Sequence, residues 1–120
     1  MPETPAVSIE PHPEVICAVV HCSQLDDAAC HELQREVLSA AAQHPQLPML
    51  LDLTEVKYVP SMGLGTLVML NRKLKDNKQR FVLVGVQPEV RNVLSLTRLD
   101  QLFEMHADRA AALAHVRGTH

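Results

Sequence analysis

The sequence contains almost no aromatic residues. Tyr58, Phe81 and Phe103 are the only three among 120 residues, and tryptophan is absent. Proteins that bind nucleic acids commonly stack bases on aromatic side chains or follow the phosphate backbone with a basic stripe. Here the eleven Lys and Arg residues are spread along the chain and the net charge is −3. We therefore expect no nucleic-acid partner.

Paired cysteines and long apolar runs are also missing. Cys17, Cys22 and Cys30 are odd in number and none are spaced as CxxC, so neither a disulfide framework nor a zinc knuckle is indicated, and we expect small buried hydrophobes. No apolar run approaches the ~20 residues of a membrane-spanning helix, and the N-terminal residues do not resemble a signal peptide. We expect a soluble, cytoplasmic chain without membrane insertion, folded as one domain over residues 1–120.

Motifs for catalysis and cofactor binding are incomplete. Gly63-Leu64-Gly65 follows a strand as a dinucleotide loop does, but Val68 occupies the place of the third glycine. His31 begins an HExxH-like segment whose second histidine position is Arg35. Ser61 lacks the preceding glycine of a nucleophile elbow, and the seven histidines show no ligand spacing. We predict a non-enzymatic protein with no catalytic residue, no cofactor and no metal.

Apolar segments alternate with segments of helical periodicity. A chain that alternates strands and helices through short connections folds as an α/β domain with a largely parallel sheet. The segment 14–22 is apolar on both alternating faces, which is typical of a strand covered on two sides. We predict strands at about 7–10, 14–22, 49–53, 81–86 and 102–105, and helices at about 26–43, 61–77, 88–94 and 108–116.

Ser61 lies at the junction between the third strand and the second helix. A serine directly before a helical segment is expected to be the N-cap, with its oxygen accepting from free backbone amides. The same amides and the positive end of the helix dipole also stabilise an added phosphate. Ser61 is therefore a candidate both for a helix cap and for a phosphorylation site.

The second helix has two different faces. Four residues of one face are Leu64, Leu67, Asn71 and Leu74, and the nearly opposite face carries Met62, Thr66, Met69 and Lys73. If the leucine face packs on the sheet, the two methionines lie exposed beside Ser61, where they form an adaptable contact surface. The alternative is a helix that is covered on both sides.

Three segments together resemble one protein family. "LLDLTEVKYVPSMGLGTLVML" is similar to the central motif of STAS domains, the family of bacterial anti-sigma-factor antagonists. "CSQLDDAACHELQREV" and "FVLVGVQPEVRNVLSLTRLDQLFEM" resemble the segments on either side of that motif, so the likeness covers nearly the whole chain. The resemblance implies a mixed, largely parallel single-layer sheet with helices mainly on one side.

The resemblance also implies a role in transcription regulation. Such antagonists bind an anti-sigma factor, often a serine kinase, and so free a sigma factor. The kinase phosphorylates the serine that matches Ser61 and abolishes binding, and a cognate phosphatase restores it. The chain departs from the family pattern at Pro60, where the family has Asp, and at Met62, where it has a small residue.

These observations define a predicted docking site and leave other functions open. We expect a monomer that contacts its partner through Ser61, Met62, Gly63, Thr66 and Met69, with Asp26 and Asp52 as secondary contacts. Asp26 belongs to a neighbouring loop, and Asp52 is expected mainly to order the backbone. One alternative is a constitutive STAS subunit of a complex such as a lipid-transport system, in which Ser61 is only a cap and contact residue. The other is a small-molecule sensor or hydrolase with a pocket near Ser61.

Overall fold

The computed structural model of the chain describes residues 5–118. Five strands form one sheet in the order β1-β2-β3-β4-β5, in which β1 is antiparallel to β2 and all other neighbours are parallel. The elements are β1 (Val7–Pro11), β2 (Ile16–Val20), α1 (Asp27–Gln43), β3 (Met49–Asp52), α2 (Ser61–Asp76), β4 (Phe81–Val84), α3 (Pro88–Leu96), a 3₁₀ turn (Leu99–Gln101), β5 (Glu104–His106) and α4 (Arg109–Gly118).

The central strands are buried on both faces. Because successive side chains of a strand point to opposite sides, Ile16 and Ala18 contribute to one apolar cluster and Cys17 and Val19 to another. The larger cluster includes residues of α1, α2 and α3, and the smaller one includes Ala112 of α4. The predicted mixed, largely parallel sheet with helices mainly on one side is confirmed, since three helices cover one face and α4 the other.

Two helices begin at residues that favour a helix start. Oδ1 of Asp26 accepts a hydrogen bond from the Ala29 amide at 3.0 Å and caps α1. Pro88 stands in the first turn of α3, where its missing amide costs no intrahelical hydrogen bond. β2, β3 and β4 end earlier than predicted, and β5 begins two residues later than predicted. Gly85 takes the left-handed conformation with φ of 67° directly after β4.

The described part of the chain contains no helix suited to crossing a membrane. No helix within residues 5–118 combines the length and the apolar composition that a bilayer-spanning helix requires.

Candidate functional site

The loops that follow β2 and β3 pair with each other at the carboxyl edge of the sheet. The Leu25 amide donates to the Tyr58 carbonyl at 3.1 Å, and the amides of Lys57 and Tyr58 donate to the Ser23 carbonyl at 2.8 and 3.0 Å. Gln24 and Tyr58 form an isolated parallel bridge. These hydrogen bonds hold both loops in place directly before α2 and so fix the position of the segment that carries Ser61.

Asp52 organises the first turn after β3. Its Oδ1 accepts from the amide of Thr54 at 2.9 Å and from the Thr54 hydroxyl, and its Oδ2 accepts from Nε of Arg109 at 3.0 Å. Burial acts to raise the pKa of Asp52, but the hydrogen bonds from Thr54 and Arg109 outweigh it and the pKa is lowered. Through these hydrogen bonds Asp52 orders the backbone of the turn. Asp52 is 8% exposed and so contributes little to the protein surface.

Pro60, and not Ser61, occupies the N-cap of α2. Pro60 has extended dihedral angles, with φ −66° and ψ 170°, and its carbonyl accepts from the Leu64 amide at 3.0 Å. Ser61 is the first helical residue, and no side chain caps this end of the helix. The prediction that Ser61 is the N-cap is therefore wrong, because the fixed φ of proline suits the position that leads into the helix. Ser61 itself is exposed.

The leucine face of α2 packs into the core, and the opposite face, whose two methionines were expected to lie exposed in that case, is only partly exposed. Leu67, Leu70 and Leu74 are buried, Met62 is 52% exposed, and Met69 is half-buried against the core. Thr66 is 5% exposed, and its Oγ1 accepts from Nε2 of Gln34 on α1 at 3.4 Å. Thr66 therefore lies in the α1–α2 interface, because α1 covers that side of α2.

Gly63 is buried where α2 meets the paired loops. A Cβ atom at this position would lie 2.8 Å from Cγ1 of Val59 and 3.0 Å from the carbonyl oxygen of Leu25. Only a glycine allows the helix to begin this close to both segments. Gly63 thus sets the position of its neighbours Ser61 and Met62 and does not itself form part of the exposed surface.

The exposed residues at this edge form a small surface with an apolar part. Tyr58 is 55% exposed and Met62 52% exposed, on either side of the exposed Ser61 in sequence. We call Tyr58, Ser61 and Met62 the serine surface. Asp26 is exposed on the adjacent loop, which is joined to Tyr58 through Leu25. The sequence did not lead us to include Tyr58 among the candidate contact residues, although a lone tyrosine in the loop before the helix was a usable signal.

Contacts among three polar side chains hold the loop before α2 in place. Oγ of Ser8 lies 2.8 Å from Nε2 of His21, and Nδ1 of His21 lies 3.0 Å from Oε2 of Glu55. The three residues belong to β1, to the loop directly after β2 and to the loop before α2. These contacts, which the sequence did not predict, tie the loop of the serine surface to the antiparallel edge of the sheet.

Comparisons with known proteins point to one family. The family model of the STAS domain matches residues 6–112. BtrV of Bordetella bronchiseptica, a proposed anti-sigma factor antagonist, is 26% identical over 98 residues, which are 80% of this chain and 84% of BtrV. The crystal structure of an anti-sigma factor antagonist from Mycobacterium paratuberculosis is 27% identical with a TM-score of 0.79, and the match covers 92% of each chain.

A third similar protein has been solved in two states. The anti-sigma factor antagonist SpoIIAA in its unphosphorylated form has a TM-score of 0.77 at 22% identity, covering 96% of this chain and 99% of its own. The phosphorylated form of SpoIIAA, described as a Bacillus cell fate determinant, has a TM-score of 0.70 at 20% identity, covering 93% and 100%. At these identities the likeness concerns the fold.

Proposed function

Since this chain belongs to the STAS domain family, we propose that it is a cytoplasmic anti-sigma factor antagonist that binds an anti-sigma factor and so frees a sigma factor. The observation that carries the proposal is the exposure of Ser61 between Tyr58 and Met62 at the uncapped start of α2. Its similarity to BtrV and to the Mycobacterium paratuberculosis antagonist supports the same role. The role is binding rather than catalysis.

The serine surface has the composition of a small docking site. Tyrosine supplies a large rigid contact area with a polar end, and methionine adapts its shape to a partner. Both side chains are about half exposed in the free chain, so a partner that covers them removes apolar area from water. Asp26 adds a charge on the neighbouring loop, and Met69 lies half-buried about two turns after Met62 on α2. Gly63, Thr66 and Asp52 contribute by holding this geometry.

Phosphorylation of Ser61 is proposed as the switch that ends binding. A phosphate brings nearly two negative charges to a position between Tyr58 and Met62, where a partner packs. Removing that charge from water in an apolar contact costs several kcal/mol. The favourable interaction with the start of α2 is worth only about 0.3–1 kcal/mol, so the net effect is release. SpoIIAA, which has the same fold, exists in phosphorylated and unphosphorylated forms.

A constitutive STAS subunit is the second candidate function. Pro60 replaces the family's aspartate directly before the serine, which removes a carboxylate and a backbone amide that a kinase could recognise. In that case Ser61 is a permanent contact residue, and the chain stays bound to its partner complex.

Incubation with the anti-sigma kinases of the host and ATP distinguishes the two functions. We expect intact mass to increase by one phosphate in the native chain and in Ser39→Asp, but not in Ser61→Ala. Ser39 is an exposed serine about 18 Å along α1 from its first residue, so it reports on charge added away from the site. A cognate phosphatase is expected to reverse the modification.

Binding to the anti-sigma factor is then measured for the phosphorylated chain and for the variants. The phosphorylated chain and Ser61→Asp should lose the complex with the anti-sigma factor, whereas Ser39→Asp should retain it. Unchanged mass together with a stable complex in Ser61→Asp would support the constitutive subunit. Failure of the native chain to bind any anti-sigma factor of the host would contradict the antagonist role itself.

A further inference from the structure

The edge strand and the last helix bring three metal-ligating side chains together. Glu104 and His106 lie two residues apart on β5, so their side chains project from the same face of the sheet. Val84, the strand partner of His106, belongs to the apolar cluster that α4 covers. His115 lies on α4 three residues after the fully buried Ala112, and therefore on the same side of the helix. The fold directs all three side chains into the space between β5 and α4.

The ligand atoms converge on one carboxylate oxygen. Nε2 of His106 lies 3.0 Å and Nε2 of His115 lies 3.7 Å from Oε2 of Glu104, and the centroids of the imidazole rings are 4.9 Å apart. One ligand atom from each residue lies within 4.8 Å of the other two. Ligands around a tetrahedral zinc ion, with bonds of about 2.1 Å, stand roughly 3.4 Å apart. Small side-chain rotations are enough to bring the trio to that spacing.

Arg80 holds the carboxylate in position. Its Nε donates to Oε1 of Glu104 at 2.7 Å, and a second guanidinium nitrogen donates to Oε2. The hydrogen bond from Arg80 is the main cause that lowers the pKa of Glu104, against a smaller opposite effect of burial. Outer hydrogen bonds of this kind commonly orient ligating carboxylates. Each carboxylate oxygen has two lone pairs, so Oε2 keeps acceptor capacity on the side of the imidazoles.

We propose that Glu104, His106 and His115 form a binding site for a late first-row transition metal ion, with Zn²⁺ as its representative. Two imidazole nitrogens and one carboxylate oxygen match the ligand preference of zinc, nickel and copper, whereas calcium and magnesium prefer oxygen ligands. Three protein ligands leave the fourth tetrahedral position to water. A bound ion connects the C-terminal part of α4 to β5, at the opposite edge of the sheet from β1.

This site is independent of the proposed binding function. The histidine spacing in the sequence predicted no metal, and eight residues separate His106 from His115. The association arises from the packing of α4 on the sheet. Within residues 5–118, three side chains of the histidine, cysteine or acidic type have possible ligand atoms within 4.8 Å of one another, and they are this trio.

Isothermal titration of ZnCl₂ into the full chain, free of any histidine tag and treated with a chelator beforehand, tests the proposal. We expect one ion per chain, with an affinity at least tenfold lower in His115→Ala, His106→Ala and Glu104→Gln. His31→Ala is the matched control, because His31 is exposed on α1 and its loss should leave the affinity unchanged. Equal affinity in the native chain and His115→Ala would overturn the proposal, as would equal weakening by His31→Ala.

A second readout avoids variants that fold poorly. The imidazole NMR signals of the native chain are followed while Co²⁺ is added. The signals of His106 and His115 should shift or broaden first. If those of His12, His21 or His31 respond at lower metal concentration, the ion binds elsewhere and the proposed site is wrong.

Discussion

At the scale of single residues, Ser61 has two effects of opposite sign. It is the first residue of α2, at a helix end without a capping side chain or an acidic residue in the first turn. Negative charge at such a position interacts favourably with the free amides and the helix dipole. In the proposed function, the same charge would obstruct an apolar contact between Tyr58, Met62 and a partner. Stability and binding should therefore respond to Ser61 in opposite directions.

Ser61→Asp should stabilise the free domain slightly. We expect the free energy of unfolding in urea to rise by about 0.3–1 kcal/mol at low ionic strength, and Ser61→Lys to lower it by a similar amount. The difference should shrink in high salt, because the position is exposed. A loss of stability in Ser61→Asp would mean that its effect on binding reflects damage to the fold and not a switch.

At the scale of elements, the start of α2 depends on a close approach that only glycine permits. A Cβ at Gly63 would contact Val59 and the Leu25 backbone, whereas a Cβ at Gly65 would meet nothing within 4 Å. The two glycines stand two residues apart in one helix and form a natural matched pair. Substitution of Gly63 tests the packing against the loops, and substitution of Gly65 tests helix propensity alone.

Gly63→Ala should destabilise the domain, and Gly65→Ala should not. Overpacking at Gly63 is expected to cost about 1–3 kcal/mol, while alanine at Gly65 should add about 0.5–1 kcal/mol through helix propensity. Chemical denaturation of both variants measures these changes. Equal stability of the two variants would contradict the close approach of α2 to the paired loops.

The elements were largely predictable from the sequence, but their mutual arrangement at the site was not. Within residues 5–118, apolar runs and proline positions indicated the five strands and four α-helices, since these signals are local, but not the 3₁₀ turn at Leu99–Gln101. The burial of Thr66 depends on α1 lying against α2, and the position of Pro60 at the N-cap depends on the path of the preceding loop. The convergence of Glu104 with His115 likewise requires α4 to be placed on the sheet. Such contacts between distant segments leave no periodic pattern.

At the scale of the whole molecule, Arg109 joins three parts of the fold. From the start of α4 it donates to Asp52 at the end of β3, and its Nη1 donates to Oε1 of Glu10 on β1 at 2.7 Å. The hydrogen bond from Arg109 is the main cause that lowers the pKa of Glu10, and the pKa of Asp52 is lowered as well. Both carboxylates therefore favour the folded state when they are ionised.

Acidification should weaken the fold through these two carboxylates. A folded-state pKa below the unfolded one gives stability that is complete above the unfolded value, near 4, and is lost as the pH falls through the lower folded value. We expect the free energy of unfolding to decline below about pH 5. Arg109→Met should lower stability at pH 7 by about 1–2 kcal/mol and flatten this decline.

Thermal or urea unfolding between pH 2.5 and 7 measures this dependence. Arg91→Met, which removes an exposed arginine of α3, is the control and should reproduce the native profile. If Arg109→Met lost as much stability at low pH as the native chain does, carboxylates other than Glu10 and Asp52 would be responsible for the loss.

The central claim is that the serine surface is where the partner binds. Titration of the host anti-sigma factor with Met62→Ala and Leu96→Ala tests it most directly, because both residues are exposed hydrophobes, at 52% and 77%, on different helices. We predict that Met62→Ala weakens binding at least tenfold, or about 1.4 kcal/mol, and that Leu96→Ala leaves it unchanged. Unchanged binding in Met62→Ala together with a loss in Leu96→Ala would move the partner to another face and contradict the account.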